Sequence, residues 1–229
     1  NRIVVMGGPR LLTGERDSIR VEYWDESGSH DHMDKTIEVD GTSQVTTIIA
    51  YYERQCEKAS FQTGIDAFFG NYWSAAFFVG GSYHLVNNDG FKIKTGARLS
   101  YGFGQVKLGD VQNNDQFFLI DGQKIYNEEL RLTYKDNYVA LSLSVSIEKR
   151  IAGPIGILAS LSGNVAVRTK SMIQFQGVGS LPLGAEKAEP AEIALNDVNL
   201  HLTRGGERIE KIPLNYTGAS VTVGLFYTF

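Results

Sequence analysis

Hydrophobic and polar residues alternate along much of the chain with a period of two, the pattern of a β-strand with one apolar face. The alternation is clearest over the last eleven residues. One set of positions is apolar and ends in aromatic residues: Ala219, Val221, Val223, Leu225, Tyr227 and Phe229. The positions between them are mostly small or hydroxylic: Ser220, Thr222, Gly224, Phe226 and Thr228. This segment predicts a strand whose two faces differ sharply in polarity.

The same alternation returns upstream, with turn residues between the repeats. Asn87 to Gly90 is a hairpin signal, and the stretch from Arg150 to Pro154 is typical of a tight turn. The pattern predicts strands at 45–57, 59–70, 73–87, 90–104, 138–150, 154–168 and 214–229, with a weaker one near 18–25. The fold class expected is all-β, with about eight strands.

The connections between these strands alternate in length. Short turns lie near 57–59, 87–90 and 151–154, and long stretches lie at 25–44, 105–137 and 169–213. Short turns on one side and long loops on the other are typical of an antiparallel up-and-down transmembrane β-barrel. We therefore expect an N-terminal segment, 1–44, with a first strand and a first external loop, followed by a barrel over 45–229. Loop 105–137 is expected to form a hairpin above the membrane, and a barrel of ten strands remains an alternative.

The polar face of the strands indicates a filled barrel interior rather than a surface in water. It is dominated by Ser, Thr and Gly, with sparse charges of both signs: Asp66, Lys92, Lys94, Arg98, Glu148 and Arg168. A barrel of about eight strands is only wide enough to be filled by side chains. We interpret the six charges as a lumen network of structural ion pairs. A narrow, porin-like channel that they line is the alternative.

Composition narrows the class of protein further. Hydrophobic residues make up 42% of the chain and the mean hydropathy is −0.16. No window approaches the roughly 18 apolar residues of a membrane helix, which excludes a helical membrane protein. The net charge of −4 argues against binding of nucleic acid, and the single cysteine, Cys56, cannot form a disulfide within the chain. A chain that starts at Asn1 is what a cleaved signal peptide or a trimmed sequence would leave.

The closing stretch, Val221 to Phe229, resembles the C-terminal signal of bacterial outer-membrane proteins. The resemblance implies a Gram-negative outer-membrane location, with an assembly signal that the barrel assembly machinery reads at Val223, Leu225, Tyr227 and Phe229. Over roughly 45–229 the strand pattern is similar to small eight-stranded barrels of the OmpA-type, OmpX-like and opacity-protein kind. This similarity is one of pattern and not of matched identities, and it leaves the first 44 residues unexplained.

Candidate reactive residues do not assemble into a known site. His84 lies beside Ser82 in a predicted strand, and His201 lies in the last long loop, yet neither has the paired acid or His-x-Ser neighbourhood of outer-membrane enzymes. His30, Asp31 and His32, with Asp34 nearby, are of metal-ligand type. We interpret them as part of a solvated loop. No catalytic residue, metal or cofactor is predicted.

The function favoured by these observations is that of a non-enzymatic outer-membrane barrel. It would act through its extracellular loops, by adhesion or binding, or as a membrane subunit of a larger envelope assembly. Its partners would be outer-membrane lipid, the barrel assembly machinery and a protein that the loops contact. The alternatives are a narrow channel, a membrane-embedded enzyme built around His84, and a secreted soluble β-barrel that binds an apolar ligand.

Overall fold

The computed structural model describes residues 1–12, 16–24, 32–40, 43–70, 73–88, 90–112, 117–210, 212 and 216–229. Within these residues the regular elements are all β-strands. They are β1 (Arg2–Leu12), β2 (Arg16–Trp24), β3 (His32–Asp40), β4 (Ser43–Gln55), β5 (Ala59–Phe69), β6 (Trp73–Asn88), β7 (Phe91–Gln112), β8 (Phe118–Ile120), β9 (Gln123–Ile125), β10 (Glu129–Ala152), β11 (Ile155–Val178), β12 (Ala191–Ala194), β13 (Leu200–Arg204), β14 (Glu207–Arg208) and β15 (Gly218–Thr228). The described part of the chain holds no helix that is long and apolar enough to cross a membrane.

Eight of the strands close into a ring, in the order β1, β4, β5, β6, β7, β10, β11, β15 and back to β1. Every pair of neighbours is antiparallel. Each strand of the ring pairs with the ring strand that precedes it and the one that follows it along the chain. The predicted eight-stranded, up-and-down β-barrel is therefore confirmed.

The first strand of the barrel was placed wrongly by the sequence pattern. It is β1, at Arg2–Leu12, and not the segment near 18–25, although it does lie within the N-terminal stretch 1–44 in which a first strand was expected. β1 was missed because Gly7, Gly8 and Pro9 interrupt its alternation. The weak strand expected near 18–25 corresponds to β2. That strand belongs to a separate four-stranded sheet, in the order β14, β13, β2, β3, outside the ring.

Three barrel strands run far beyond their predicted ends. β7 has 22 residues, and β10 and β11 have 24 each. Stretches 105–137 and 169–213 are therefore partly strand rather than loop. The hairpin expected in the first of them is formed by β8 and β9 around Asp121 and Gly122, which both have positive φ. It is a two-stranded sheet of its own, so the ring keeps eight strands.

The outer wall of the ring is an apolar belt. Its exposed side chains include Ile3, Val5, Leu11, Ile48, Phe61, Ile65, Phe77, Val79, Leu99, Leu141, Leu143, Val145, Leu161, Val165, Val221, Val223 and Leu225. Aromatic residues lie towards both ends: the rings of Trp73 and Phe103 are 5.4 Å apart, and those of Tyr52 and Phe229 are 6.5 Å apart. An exposed apolar belt with aromatic residues at its ends is typical of strand barrels whose outer wall meets hydrocarbon.

The belt ends where the outward positions of β10 change character. They are apolar from Val139 to Ile147, whereas Asn137, Lys135 and Arg131 continue the same face with polar groups. Beyond this line the long strands form what we call the cap. It consists of residues 105–112, 129–138 and 169–208, together with β2, β3, β8 and β9.

The cap has a hydrophobic core of its own that continues into the upper mouth of the barrel. Its buried members include Ile19, Val21, Tyr23, Ile37, Ile120, Ile125, Leu130, Leu132, Ile173, Phe175, Leu200 and Leu202. A β-bulge at Thr169 helps to build this core. Asn137 pairs with Lys170 and Tyr138 with Arg168, so Thr169 is left out of the ladder. The odd positions of β11, which face outward below the bulge, face inward above it.

Candidate functional site: a filled lumen beneath the cap

Four charged side chains cross the lower lumen, near the short turns. Arg2 Nε lies 2.9 Å from Glu53 Oε2, and Arg2 Nη1 lies 2.7 Å from Glu148 Oε2. Lys94 Nζ lies 2.8 Å from Glu53 Oε1 and 3.0 Å from Glu148 Oε1. All four side chains are at most 3% exposed. We call this set the lower quartet; its two cations and two anions balance.

The quartet ties together strands that are not neighbours. Arg2 on β1 and Glu148 on β10 are separated in the ring by β15 and β11, and Lys94 on β7 and Glu53 on β4 are separated by β6 and β5. Both pairs therefore span the interior. The Arg2 guanidinium also lies 4.7 Å from the centre of the Phe226 ring. Buried charges are tolerated only when they are paired and hydrogen-bonded, and here each charge has two partners.

The middle of the lumen is filled by one arginine between two aromatic rings. The Arg98 guanidinium lies 4.8 Å from the centre of Tyr51 and 4.6 Å from that of Phe78, and its Nε donates to Gln62 Oε1 at 3.0 Å. Apolar side chains pack around this layer: Val4, Met6, Ile49 and Leu158. Close cation–π contacts at this depth leave little room for a water-filled path.

A second ion pair lies nearer the cap. Arg10 Nη1 is 3.2 Å from Asp66 Oδ2, and the Thr47 hydroxyl donates to Asp66 Oδ1 at 2.9 Å. The Arg10 guanidinium lies 4.9 Å from the centre of Phe68. The pair therefore joins β1 to β5 inside the barrel, above the middle layer.

The junction between barrel and cap, just above the belt, is built around a buried carboxyl group. The Tyr216 hydroxyl donates to Asp136, and Arg168 Nε lies 3.4 Å from Asp136 Oδ2. Tyr138 stacks on Tyr216 with ring centres 4.4 Å apart. Burial raises the pKa of Asp136 to about 6, although Tyr216 and Arg168 oppose the shift. This carboxyl group therefore titrates close to neutral pH.

The six predicted lumen charges all point inward, but they belong to different contacts. Lys94 and Glu148 are in the lower quartet. Lys92 donates to Gln55, Asp66 pairs with Arg10, Arg98 lies between its two rings, and Arg168 pairs with Asp136. These six charges therefore lie at several depths of the lumen and do not form a single network.

Sequence reasoning missed four charges of the interior. Arg2 and Arg10 lie on β1, which was not predicted, and Asp136 lies in a stretch predicted as loop. Glu53 lies in a segment with apolar residues on both faces. A signal was present for Glu53, since Val45, Thr47, Ile49 and Tyr51 are the inward positions that lead to it.

Candidate reactive groups are placed apart. His84 is buried on the inward face of β6, and the Ser82 hydroxyl is 2.6 Å from that of Ser60. His201 lies in β13, opposite Glu22. His30 and Asp31 lie outside the described residues, and Asp34 pairs with Arg20. The residues that the structure describes contain no cluster of three or more His, Cys, Asp or Glu that fits a metal ion.

The residues of the expected assembly signal lie on the outer wall. Val223, Leu225, Tyr227 and Phe229 are exposed on β15 and the residue after it, within the belt. Cys56 is exposed in the turn between β4 and β5.

No protein-family model and no curated protein matches the sequence. Among solved structures, the crystal structure of Neisserial surface protein A aligns with 100% of this chain and 99% of its own, at 10% identity and a TM-score of 0.43. The outer membrane protease OmpT from Escherichia coli aligns with 99% of this chain and 97% of its own, at 10% identity and a TM-score of 0.33. The barrel fold is shown by the closed ring of strand pairings in this chain.

Proposed function

We propose that this protein is a non-enzymatic, non-conducting barrel of the bacterial outer membrane that presents its folded cap to a protein partner. The observation that carries the proposal is the contrast between lumen and cap. Ion pairs join strands across the lumen, whereas the cap is folded around a hydrophobic core that continues into the upper mouth of the barrel.

The apolar belt supports a membrane location. Large side chains such as Phe77, Leu143 and Val223 are more than half exposed on the outer wall. In water, so many adjacent apolar groups would promote aggregation. A secreted barrel that binds an apolar ligand would have the opposite arrangement, with an apolar cavity inside and polar groups outside.

The filled interior weighs against the channel alternative. An ion path along the axis would have to break the lower quartet, displace Arg98 from its two rings and separate Arg10 from Asp66. Each of these steps would leave a charge unpaired in a confined space, which is costly. The enzyme alternative has little support either, because Ser82 bonds to Ser60 rather than to His84.

The cap is where we place the binding surface. Leu183, in the connection between β11 and β12, and Val198, before β13, are strongly exposed on it. Charged pairs such as Lys135 with Glu192 lie on the outer surface of the cap. Exposed apolar side chains on loops, with charged groups around them, are typical of a surface that recognises another protein.

A change of gel mobility on boiling tests whether the chain forms a closed barrel in detergent. Single-channel conductance tests whether the lumen is closed to ions. The detergent-extracted protein should migrate differently on a gel before and after boiling, and in planar bilayers it should give no steady single-channel current. A freely soluble protein without a gel shift would contradict the membrane assignment. A reproducible open-channel current would instead favour the channel alternative.

Cap variants test the binding role. A fluorescent or tagged form of the chain should bind to the surface of cells that carry the partner, and the double change Leu183→Asp with Val198→Asp should reduce this binding. Leu141→Ala, in the belt, is the matched control and should leave binding unchanged. Equal binding by both variants would contradict a role for these cap residues.

A further inference from the structure

The seam between the first and last strands of the barrel has a defect at membrane depth. β1 and β15 pair from Arg2 to Gly7 and again from Arg10 to Leu12, but Gly8 and Pro9 have no partner across this seam. On the other side of β1 the ladder continues unbroken, with Gly8 opposite Thr47 and Pro9 opposite Thr46. The defect is thus confined to the side that faces β15.

Proline explains the gap. The register on either side places Pro9 opposite Val221, and proline has no N–H to donate. The Val221 carbonyl therefore receives no ladder hydrogen bond from β1. Inside a membrane no water is present to replace that bond, so the seam is weaker here than in the uninterrupted ladders.

A groove lies on the outer wall at the same place. Its volume is about 340 Å³, and it is lined by Pro9, Leu11, Gln44, Leu161, Ala219, Ser220 and Val221. Ala219 is a small residue of its lining, and it lies opposite Gly163 in the ladder with β11. Larger side chains, Leu11 and Leu161, form its walls.

We propose that this groove retains one acyl chain of a membrane lipid, held against the β1–β15 seam more durably than the lipids around the rest of the wall. This inference rests on the proposed membrane location. The groove lies within the apolar belt, so hydrocarbon chains surround it. Its Leu11 and Leu161 walls are apolar, as a hydrocarbon chain requires, and Gln44 provides a polar group at its upper end, towards the cap.

A matched site on another part of the wall makes the proposal testable. Ala97 on β7 is also a small outward residue, and it lies opposite Gly81 on β6. The ladder is continuous there, because Gly80, Gly81 and Ser82 all pair with β7. Ala219→Phe would fill the groove, whereas Ala97→Phe would add the same ring to a wall without the seam defect.

The experiment uses the full chain in vesicles of phosphatidylethanolamine and phosphatidylglycerol. A trace of phosphatidylethanolamine carries a diazirine on one acyl chain, and labelled peptides are identified after irradiation. Labelling should be several-fold higher on the peptides that contain Pro9 to Leu11 and Ala219 to Val221 than on the outward face of β6 and β7. Ala219→Phe should abolish this excess, and Ala97→Phe should leave it unchanged.

Several results would overturn the proposal. Uniform labelling around the barrel would mean that the groove holds only ordinary surrounding lipid. Equal loss in both variants would show that the excess does not depend on the groove. Disulfide-linked dimers of Ala219→Cys in a Cys56→Ser background, together with no lipid label at the seam of the parent chain, would identify a second copy as the occupant. The unboiled gel shift of the same sample shows separately whether the barrel has formed, so failure of the membrane assignment is recognised independently.

Discussion

Arg2 and Glu148 are 146 positions apart in the chain, yet the Arg2 guanidinium donates to the Glu148 carboxylate across the interior of the barrel. The contact joins the first strand to the sixth strand of the ring and, with Glu53 and Lys94, forms a balanced cluster that water hardly reaches. A carboxylate and a guanidinium in such a place stabilise the fold only as partners. Removing one of them leaves the other buried and unpaired.

Arg2→Met should therefore destabilise the barrel, because Glu53 and Glu148 would then share only Lys94. We expect a loss of about 3–5 kcal/mol in the free energy of unfolding, the usual effect of breaking a buried ion pair. The measurement is the urea midpoint of the gel-mobility transition. Arg54→Met, which removes an exposed arginine near the same end of β4, should have little effect.

The double variant Arg2→Met with Glu148→Met extends this test. It leaves Lys94 and Glu53 as a neutral pair, so it should be more stable than Arg2→Met alone. Additive losses from the two single changes would show that Arg2 and Glu148 are not energetically coupled, contrary to the contact between them.

Val223→Arg tests which face of β15 meets lipid. Val223 is 61% exposed on the outer wall, in the belt. If this wall faces hydrocarbon, the substitution should cost roughly 2–4 kcal/mol near the bilayer midplane, measured as the unfolding free energy in lipid vesicles. Val223→Leu is the control and should be close to neutral. An arginine tolerated as well as leucine would mean that this wall faces water.

The parts of the fold that could be predicted are those where alternation is regular. β15 and the lower halves of β10 and β11 have small or polar residues inside and branched apolar residues outside, so their faces were correct from the sequence. β1 has Gly7, Gly8 and Pro9 at its centre, and those residues normally mark a turn. Local composition cannot show that strands on both sides hold such a segment in the ladder.

The candidate site was less predictable for a related reason. Ion pairs such as Arg2 with Glu148 depend on which strands face each other across the ring, and a pattern of period two contains no information on that. The cap could not be predicted because its strands continue those of the barrel, but with a different pattern of polar and apolar positions. Above Val139 the outward positions of β10 become polar, and the Thr169 bulge exchanges the faces of β11. Both changes make a continuous strand resemble a loop.

Asp136 should make the barrel–cap junction sensitive to pH. Its pKa is raised by burial to about 6, from an ordinary value of 3.8. The carboxyl group binds its proton more tightly in the folded protein than in the unfolded chain, so folding is favoured when it is protonated. This stabilisation is fully present below about pH 4 and is lost as the pH rises through 6, with an upper limit of about 3 kcal/mol.

Asp136→Asn should remove that pH dependence, because the amide can still accept the Tyr216 hydrogen bond without becoming charged. The measurement is the thermal midpoint of near-ultraviolet circular dichroism between pH 4 and 8, which reports the packed tyrosines. Asp110→Asn is the control: the pKa of Asp110, on the surface of the cap, is lowered by its hydrogen bond to Arg131. A dependence between pH 4 and 6 that survives in Asp136→Asn would assign it to another group.

Deletion of Phe229 tests whether this residue acts as an assembly signal or only packs against its neighbours. If the terminal aromatic residue is read during assembly, the shortened chain should reach the membrane in smaller amounts, while the fraction that does insert should unfold at nearly the normal temperature. The ring of Phe229 lies 6.5 Å from that of Tyr52, so Tyr52→Ala removes the same aromatic contact and leaves the terminus intact. We expect Tyr52→Ala to assemble normally, measured as the ratio of folded to unfolded bands in membrane fractions. If both variants assemble equally poorly, the aromatic contact rather than recognition of the terminus accounts for the loss.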